Sequence, residues 1–147
     1  MTMTRRELLR ALGAGALTLP FPALAKTRNR TAHVVIVGGG IGGATAAKYL
    51  RLAAPDLRIT LIEPVKRFIT CLRSTDVVVG HMKLDDITFT YDALRAKYKI
   101  DVVHDRAIGF DPDARTVQLD KGGNLAYDRL IVSPGIDFIF GDVEGYN

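Results

Sequence analysis

Val34-Val35-Ile36-Val37-Gly38-Gly39-Gly40-Ile41-Gly42-Gly43 is the stretch on which the fold of this chain turns. Four β-branched residues in succession fit a strand buried on both faces, as in a parallel sheet. The glycines follow at once, and Gly38, Gly40 and Gly43 satisfy the spacing G-x-G-x-x-G. Ala44–Ala54 then reads as a helix rich in small residues at its start. Leu57–Ile62 reads as a second strand that ends at Glu63. In a dinucleotide site each part has a physical job: Gly38 permits the tight turn out of the strand, Gly40 lets backbone approach a pyrophosphate, and Gly43 lets the helix pack closely on the strand. The helix N-terminus offers unpaired N–H groups and a partial positive charge to that pyrophosphate. Glu63 can accept hydrogen bonds from both ribose hydroxyls of an adenosine, and its carboxylate would repel a 2′-phosphate, which disfavours NADP. The glycines alone also fit a Gly-rich turn before a packed helix. Strand, glycines, helix, strand and terminal acid in this order favour the dinucleotide reading, with NAD and FAD both open.

Further along, Tyr91–Tyr98 reads as a short helix and Ile100–His104 as a strand. Three strand-like runs follow, Ala107–Phe110, Thr116–Leu119 and Leu125–Tyr127, separated by the turn signals Asp111-Pro112-Asp113 and Lys121-Gly122-Gly123-Asn124. A small antiparallel meander is the expected shape. Asp128-Arg129-Leu130-Ile131-Val132-Ser133-Pro134-Gly135 gives another buried strand ending in a small-Pro-Gly turn. The expected fold class is therefore α/β, a Rossmann-like parallel sheet with a β-meander crossover, over residues 32–147.

A length of 147 residues is one domain or part of a larger one, and 48% hydrophobic with 24% charged residues argues against global disorder. The net charge of +4 is unevenly spread. Residues 1–30 hold six basic residues and one acid, leaving 14 basic and 15 acidic in the rest, so the body has no basic patch with which to neutralise nucleic-acid phosphates. The basic start reads as an export signal over residues 1–25. Thr4-Arg5-Arg6-Glu7-Leu8-Leu9-Arg10 precedes the apolar run Ala11–Leu19, then Pro20, Pro22 and the small-x-small pattern Ala23-Leu24-Ala25. Nine apolar residues fall far short of the roughly 20 that span a bilayer, so no membrane anchor is expected. Two adjacent arginines resemble a twin-arginine signal, with an ordinary secretory signal or an amphipathic surface helix as alternatives. Cleavage is expected after Ala25, leaving residues 26–31 as a flexible mature N-terminus of a periplasmic protein. Cys71 is the single cysteine, which excludes an internal disulfide framework and a Cys-rich zinc site, and no C-x-x-C-H for a c-type haem occurs.

The order of glycine motif, second strand ending in an acid, meander and final small-Pro-Gly strand resembles the two-dinucleotide-binding-domain flavoproteins of the glutathione-reductase-like superfamily. That resemblance implies FAD. Tyr127–Gly135 is similar to the superfamily's second motif, close to the flavin phosphates, with Ser133-Pro134 standing where Ala-Thr is usual before Gly135. By position, Ala107 resembles the residue whose backbone meets the adenine. Within the superfamily, Gly38–Leu50 (GGGIGGATAAKYL), Leu61-Ile62-Glu63-Pro64, Thr70-Cys71 and Val102-Val103-His104-Asp105 resemble the flavoprotein subunit of flavocytochrome c sulfide dehydrogenase. This implies a thioether from Cys71, in the loop after Glu63-Pro64, to the 8α-methyl group of FAD. It also implies a c-type cytochrome partner and a small inorganic sulfur donor. Read from residue chemistry alone, Cys71 is a small buried hydrophobe. The family's redox disulfide uses two later cysteines, so no residue of this chain is expected to be catalytic, and no metal site is expected.

Two rival functions stand beside this one: a sulfide–quinone or NADH-type flavin oxidoreductase, and a non-catalytic nucleotide-binding remnant. The superfamily's FAD domain is completed by a late Gly-Asp segment. The sequence is accordingly expected to be an N-terminal fragment or truncated copy that binds FAD poorly by itself and is inactive. The remaining chemically notable residues read as structural. His104 is expected packed or hydrogen-bonded, and His81 lies in a loop without ligand neighbours. Lys48 and Arg51 are placed on the solvent face of the first helix. Arg67 is either a solvated loop charge or a cation near the pyrophosphate. Tyr91 and Tyr98, seven apart, are expected on one core-facing side of a helix.

Overall fold

The structure, a computed structural model, describes residues 31–136, 144 and 145. The expected signal, its cleavage point after Ala25 and the tail to Arg30 lie outside the described residues. Strand β1 (His33–Val37) is buried along its whole length and pairs in parallel with β2 (Arg58–Ile62) on one side and β9 (Arg129–Val132) on the other. Strand β5 (Asp101–Val103) adds to β2, giving a four-stranded parallel sheet in the order β5-β2-β1-β9. Helix α1 (Ile41–Ala53) connects β1 to β2. Between β2 and β5 run β3 (Arg67–Ile69), helix α2 (Ser74–Val78), a 3-10 turn (Leu84–Ile87), β4 (Thr88–Thr90) and helix α3 (Asp92–Ala96). The meander of β6 (Ala107–Asp111), β7 (Thr116–Leu119) and β8 (Gly123–Ala126) lies between β5 and β9.

The alternation of β1 explains why the sheet needs cover on both sides. Val34 and Ile36 face one core, shared with Ala47 of α1, Ile59 and Leu61 of β2, and Tyr91, Ile100 and Val102. Val35 and Val37 face a second core, shared with Ile62 and with Val117 and Leu119 of the meander. Each fully buried aliphatic side chain contributes roughly 1.5–3 kcal/mol, so an unbroken β-branched run is stable only between two apolar layers. The one polar side chain fully buried in these strands, Thr60, is matched to the ring of His33, whose Nε2 lies 2.9 Å from its hydroxyl oxygen.

Several expectations are corrected. Helix α1 begins at Ile41, three residues earlier than the apolar pattern indicated, so Gly42 and Gly43 lie inside its first turn. Helix α3 is only five residues long, and neither Tyr91 nor Tyr98 is within it. The third meander strand starts two residues early, at Gly123, whose φ of +74° is open to glycine without strain. The segment after Glu63-Pro64 is not one loop, because β3 and β4 pair antiparallel within it. Arg51 is not a free surface charge. Its Nε donates to the Tyr98 carbonyl at 2.9 Å and its Nη2 to that of Lys99 at 3.2 Å, tying the end of α1 to the segment before β5. Lys48 rests its ammonium 5.8 Å from the centre of the Tyr98 ring.

The glycine loop is held by backbone proximity. A Cβ on Gly43 would stand 1.8 Å from the Gly38 carbonyl oxygen, and one on Gly38, at φ +99°, would stand 2.0 Å from the Ser133 carbonyl oxygen. The nearest atom to a Cβ on Gly40 is a Phe68 ring carbon at an ordinary 3.7 Å. Gly43→Ala is therefore expected to cost at least the roughly 1–3 kcal/mol of an overpacked core, and Gly38→Ala a further ~1–2 kcal/mol of left-handed strain. Gly40→Ala is expected to stay within about 1 kcal/mol of the parent. Denaturant midpoints of the three variants check this ranking.

His33 generates a pH prediction. Burial, and then the neighbouring Arg58 charge, hold its imidazole below its ordinary value. The native state therefore binds fewer protons than the unfolded chain. Its contribution to stability is lost as pH falls through about 6.5 and levels off below the lowered native value. Urea midpoints taken from about pH 8 down to about pH 5 are expected to fall less in His33→Gln than in the parent.

Candidate dinucleotide site

The site lies where the parallel strands end. Gly38 donates its N–H to the Ile62 carbonyl at 2.9 Å, Ser133 donates to Val37 at 2.8 Å, and Glu63 donates to Val103 at 2.9 Å, so the ends of all four strands are held in step. Beyond them opens a cleft of about 440 Å³, within the range of small-ligand sites. Gly38, Glu63, Pro64, Arg106, Ala107 and the Pro134-Gly135 turn line it. Five of the nine residues expected at a cofactor site are thus gathered around one space: Gly38, Glu63, Ala107, Pro134 and Gly135.

The other four stand elsewhere. Gly40 lines a second, largely apolar pocket of about 460 Å³, with Ile41, Phe68, Thr70, Leu72 and Phe89. Gly43 is buried against Gly38, and the Ser133 hydroxyl sits above Gly42, where a Cβ would come within 2.7 Å of it. Cys71 is exposed, not a buried hydrophobe, and its neighbours Thr70 and Leu72 line the second pocket. Arg67 is exposed and paired with Asp85 at 2.9 Å. His104 sets Nδ1 3.0 Å from the Glu63 carbonyl oxygen.

Electrostatically the helix start is open. Gly40 caps α1 with no side-chain hydrogen bond, and no acidic residue occupies the first turn. The N–H groups there keep their capacity for an anion. Glu63 is half-buried and partly engaged: Oε2 accepts the Gly39 N–H at 2.6 Å and Oε1 accepts the Val65 N–H at 3.0 Å. A carboxylate has about four lone-pair positions, so two remain for a ligand. The rim at Arg106-Ala107 is pinned by Asp105, whose carboxylate accepts the N–H groups of Arg106, Lys121 and Gly122 at 2.7, 3.1 and 2.9 Å. Burial pushes that carboxyl up, but these donors and the Lys121 charge outweigh it and hold it below its ordinary value.

Sequence reasoning missed Gly39 and Tyr91. The Tyr91 hydroxyl donates to the Gly39 carbonyl at 3.0 Å across 52 residues of sequence, a partnership that no local spacing announces. Among the described residues no cluster of His, Cys, Asp or Glu is arranged to hold a metal ion, and no helix is long and apolar enough to cross a membrane.

Comparison with known proteins shows the family of the fold. The chain is 37% identical over 109 residues to the sulfide-quinone reductase of Aquifex aeolicus, covering 74% of this chain and 25% of that protein. It is 56% identical over 41 residues to the sulfide dehydrogenase (flavocytochrome c) flavoprotein chain of Chlorobaculum thiosulfatiphilum, covering 28% of this chain and 85% of that sequence. The crystal structure of the Aquifex aeolicus sulfide:quinone oxidoreductase superposes with a TM-score of 0.70 at 36% identity, over 76% of this chain and 26% of that one. The chain thus spans about a quarter of the length of the relatives that match most of it. Residues 32–147 match the family model of the pyridine nucleotide-disulphide oxidoreductases, and the chain belongs to that family as the N-terminal part of its FAD/NAD-binding domain.

Proposed function

We propose that the chain is the FAD-binding part of an exported oxidoreductase that takes electrons from a small inorganic sulfur donor, sulfide in the first instance, and delivers them to a c-type cytochrome. The observation that carries this reading is the acid at the end of β2, which lines the cleft and is hydrogen-bonded to Gly39 beside an uncapped helix start, in a chain whose relatives include sulfide-oxidising flavoproteins. The residues present fit the ADP half of FAD. Glu63 offers free lone pairs to the ribose, the first turn of α1 faces a pyrophosphate, and Gly40 presents no side chain in the way. Ala107 and the Ser133–Gly135 turn close the other side. Bound FAD supplies two-electron oxidation with single-electron release, and the protein supplies position and field.

Cys71 is the proposed point of covalent attachment to the flavin ring. Its exposure supports this, since a tether needs a thiol within reach of ligand, beside the pocket that Thr70 and Leu72 line. A tether suits a periplasmic protein, from which a dissociated cofactor is lost. The pattern of residues 1–25, with Arg5-Arg6 and Ala23-Leu24-Ala25, supports export through a twin-arginine route with cleavage after Ala25. A second reading, with a quinone in place of the cytochrome, is favoured by the longer match to the Aquifex aeolicus reductase.

Acid precipitation of the purified full chain after loading with FAD tests flavin binding and the tether. Flavin absorbance is expected in the washed pellet, and Cys71→Ser is expected to move it to the supernatant. Flavin released by the parent chain overturns the tether. No flavin in either fraction favours a nucleotide-binding remnant. Gly40→Ala is expected to fold as the parent does and to retain several-fold less FAD, which gel filtration with flavin fluorescence measures.

A further inference from the structure

Behind the cleft, Tyr91 is only 4% exposed, and its hydroxyl meets the Gly39 carbonyl. The N–H of the same glycine meets Glu63 Oε2. A Cβ on Gly39 would stand 2.7 Å from the Tyr91 oxygen and 2.8 Å from Glu63 Cγ, so this residue is clasped between a phenol and a carboxylate with no room to spare. The His104 ring lies 5.8 Å from that of Tyr91, centre to centre, while its Nδ1 sits against the Glu63 carbonyl oxygen. Burial, with the Glu63 charge added, pushes the Tyr91 phenol up to about 12, so it stays a donor throughout the neutral range.

A glutamate side chain left to itself samples many rotamers, and each one frozen on binding subtracts from affinity. Glu63 is already frozen, because Gly39 holds one oxygen and Val65 the other. Gly39 is in turn held by Tyr91: the hydroxyl fixes the Gly39–Gly40 peptide through its carbonyl, and the Gly38–Gly39 peptide, joined to it at the Gly39 Cα, carries the N–H that reaches the carboxylate. We propose that Tyr91 is a positioning residue for the nucleotide: by holding the backbone on one side of Gly39 it steadies the N–H on the other, which sets the Glu63 carboxylate to receive ribose hydroxyls, and preference for an intact ribose depends on its hydroxyl. The proposal rests on the dinucleotide reading of the cleft and adds to it a residue that touches no ligand.

The test is calorimetric titration of the full chain with ADP and with 2′,3′-dideoxy-ADP. The parent is expected to prefer ADP. Tyr91→Phe keeps the ring and its contact with His104, and its melting temperature is expected to fall by about 5 °C at most. Its ADP affinity is expected to drop about five- to tenfold, the scale of one lost hydrogen bond, with dideoxy-ADP unchanged within about twofold. Equal weakening of both ligands, or of neither, overturns the proposal and leaves the cleft reading standing. A parent that binds ADP no better than dideoxy-ADP overturns the ribose role of Glu63 and the proposal with it. If Tyr91→Phe does not fold, Tyr91→Met, a flexible filler without a hydroxyl, is titrated in its place with the same expected and overturning results.

Discussion

The approach of Gly43 to the Gly38 carbonyl is the contact on which the rest depends. It brings the start of α1 against the exit of β1 at a separation that no side chain survives. That closeness lets Ala47 reach the core made by Val34, Ile36, Ile59 and Leu61. It also sets the start of α1 next to Gly38, which lines the cleft with the acid of β2 and the Pro134-Gly135 turn. One backbone contact thus serves packing and electrostatics together. The three glycines of the motif differ accordingly: two are demanded by the protein's own backbone, and at Gly40 a side chain would meet only the Phe68 ring at an ordinary contact distance.

The sheet was legible because its signals are local. Val34–Val37 declared a strand with two buried faces, and both cores confirm the pattern. The meander was legible from its turn residues, with a two-residue shift at Gly123, whose backbone accommodates either side of the boundary. The region between Pro64 and Tyr91 was not legible. Strands β3 and β4 are three residues each and largely exposed, so neither carries the alternation that marks a half-buried strand. The helix start was misplaced for a related reason. Glycines lower helical propensity, but here glycine at 42 and 43 is imposed by Ser133, distant in sequence, and by the Gly38 carbonyl, which only the folded turn brings against Gly43.

Of the site, the pieces contributed by strand ends were legible and the pieces that steady them were not. Glu63 announces itself by its place after an apolar strand. Tyr91 looked like half of a heptad pair with Tyr98, yet α3 lies between the two tyrosines and contains neither. Its hydroxyl finds a partner only once α3 is folded over the sheet. Arg51 misled in the same way, since its three acceptors are carbonyls at a loop it does not border in sequence, apart from that of Pro55.

The pairing of β1 with β9 also bears on how the molecule is made. Asp128, just before β9, meets His33 across 95 residues, and of the four described strands of the sheet β9 is the last in sequence. Until Arg129–Val132 emerge, β1 carries a free edge of four β-branched residues, the kind of template that recruits other chains. The meander comes off the ribosome before that edge is closed, and Val117 and Leu119 can shield the face of Val35 and Val37 while it waits. Contacts of such long sequence separation slow folding. The crossover that shapes the rim of the cleft thus precedes, in order of synthesis, the strand that closes the edge of β1, and covers one of its faces.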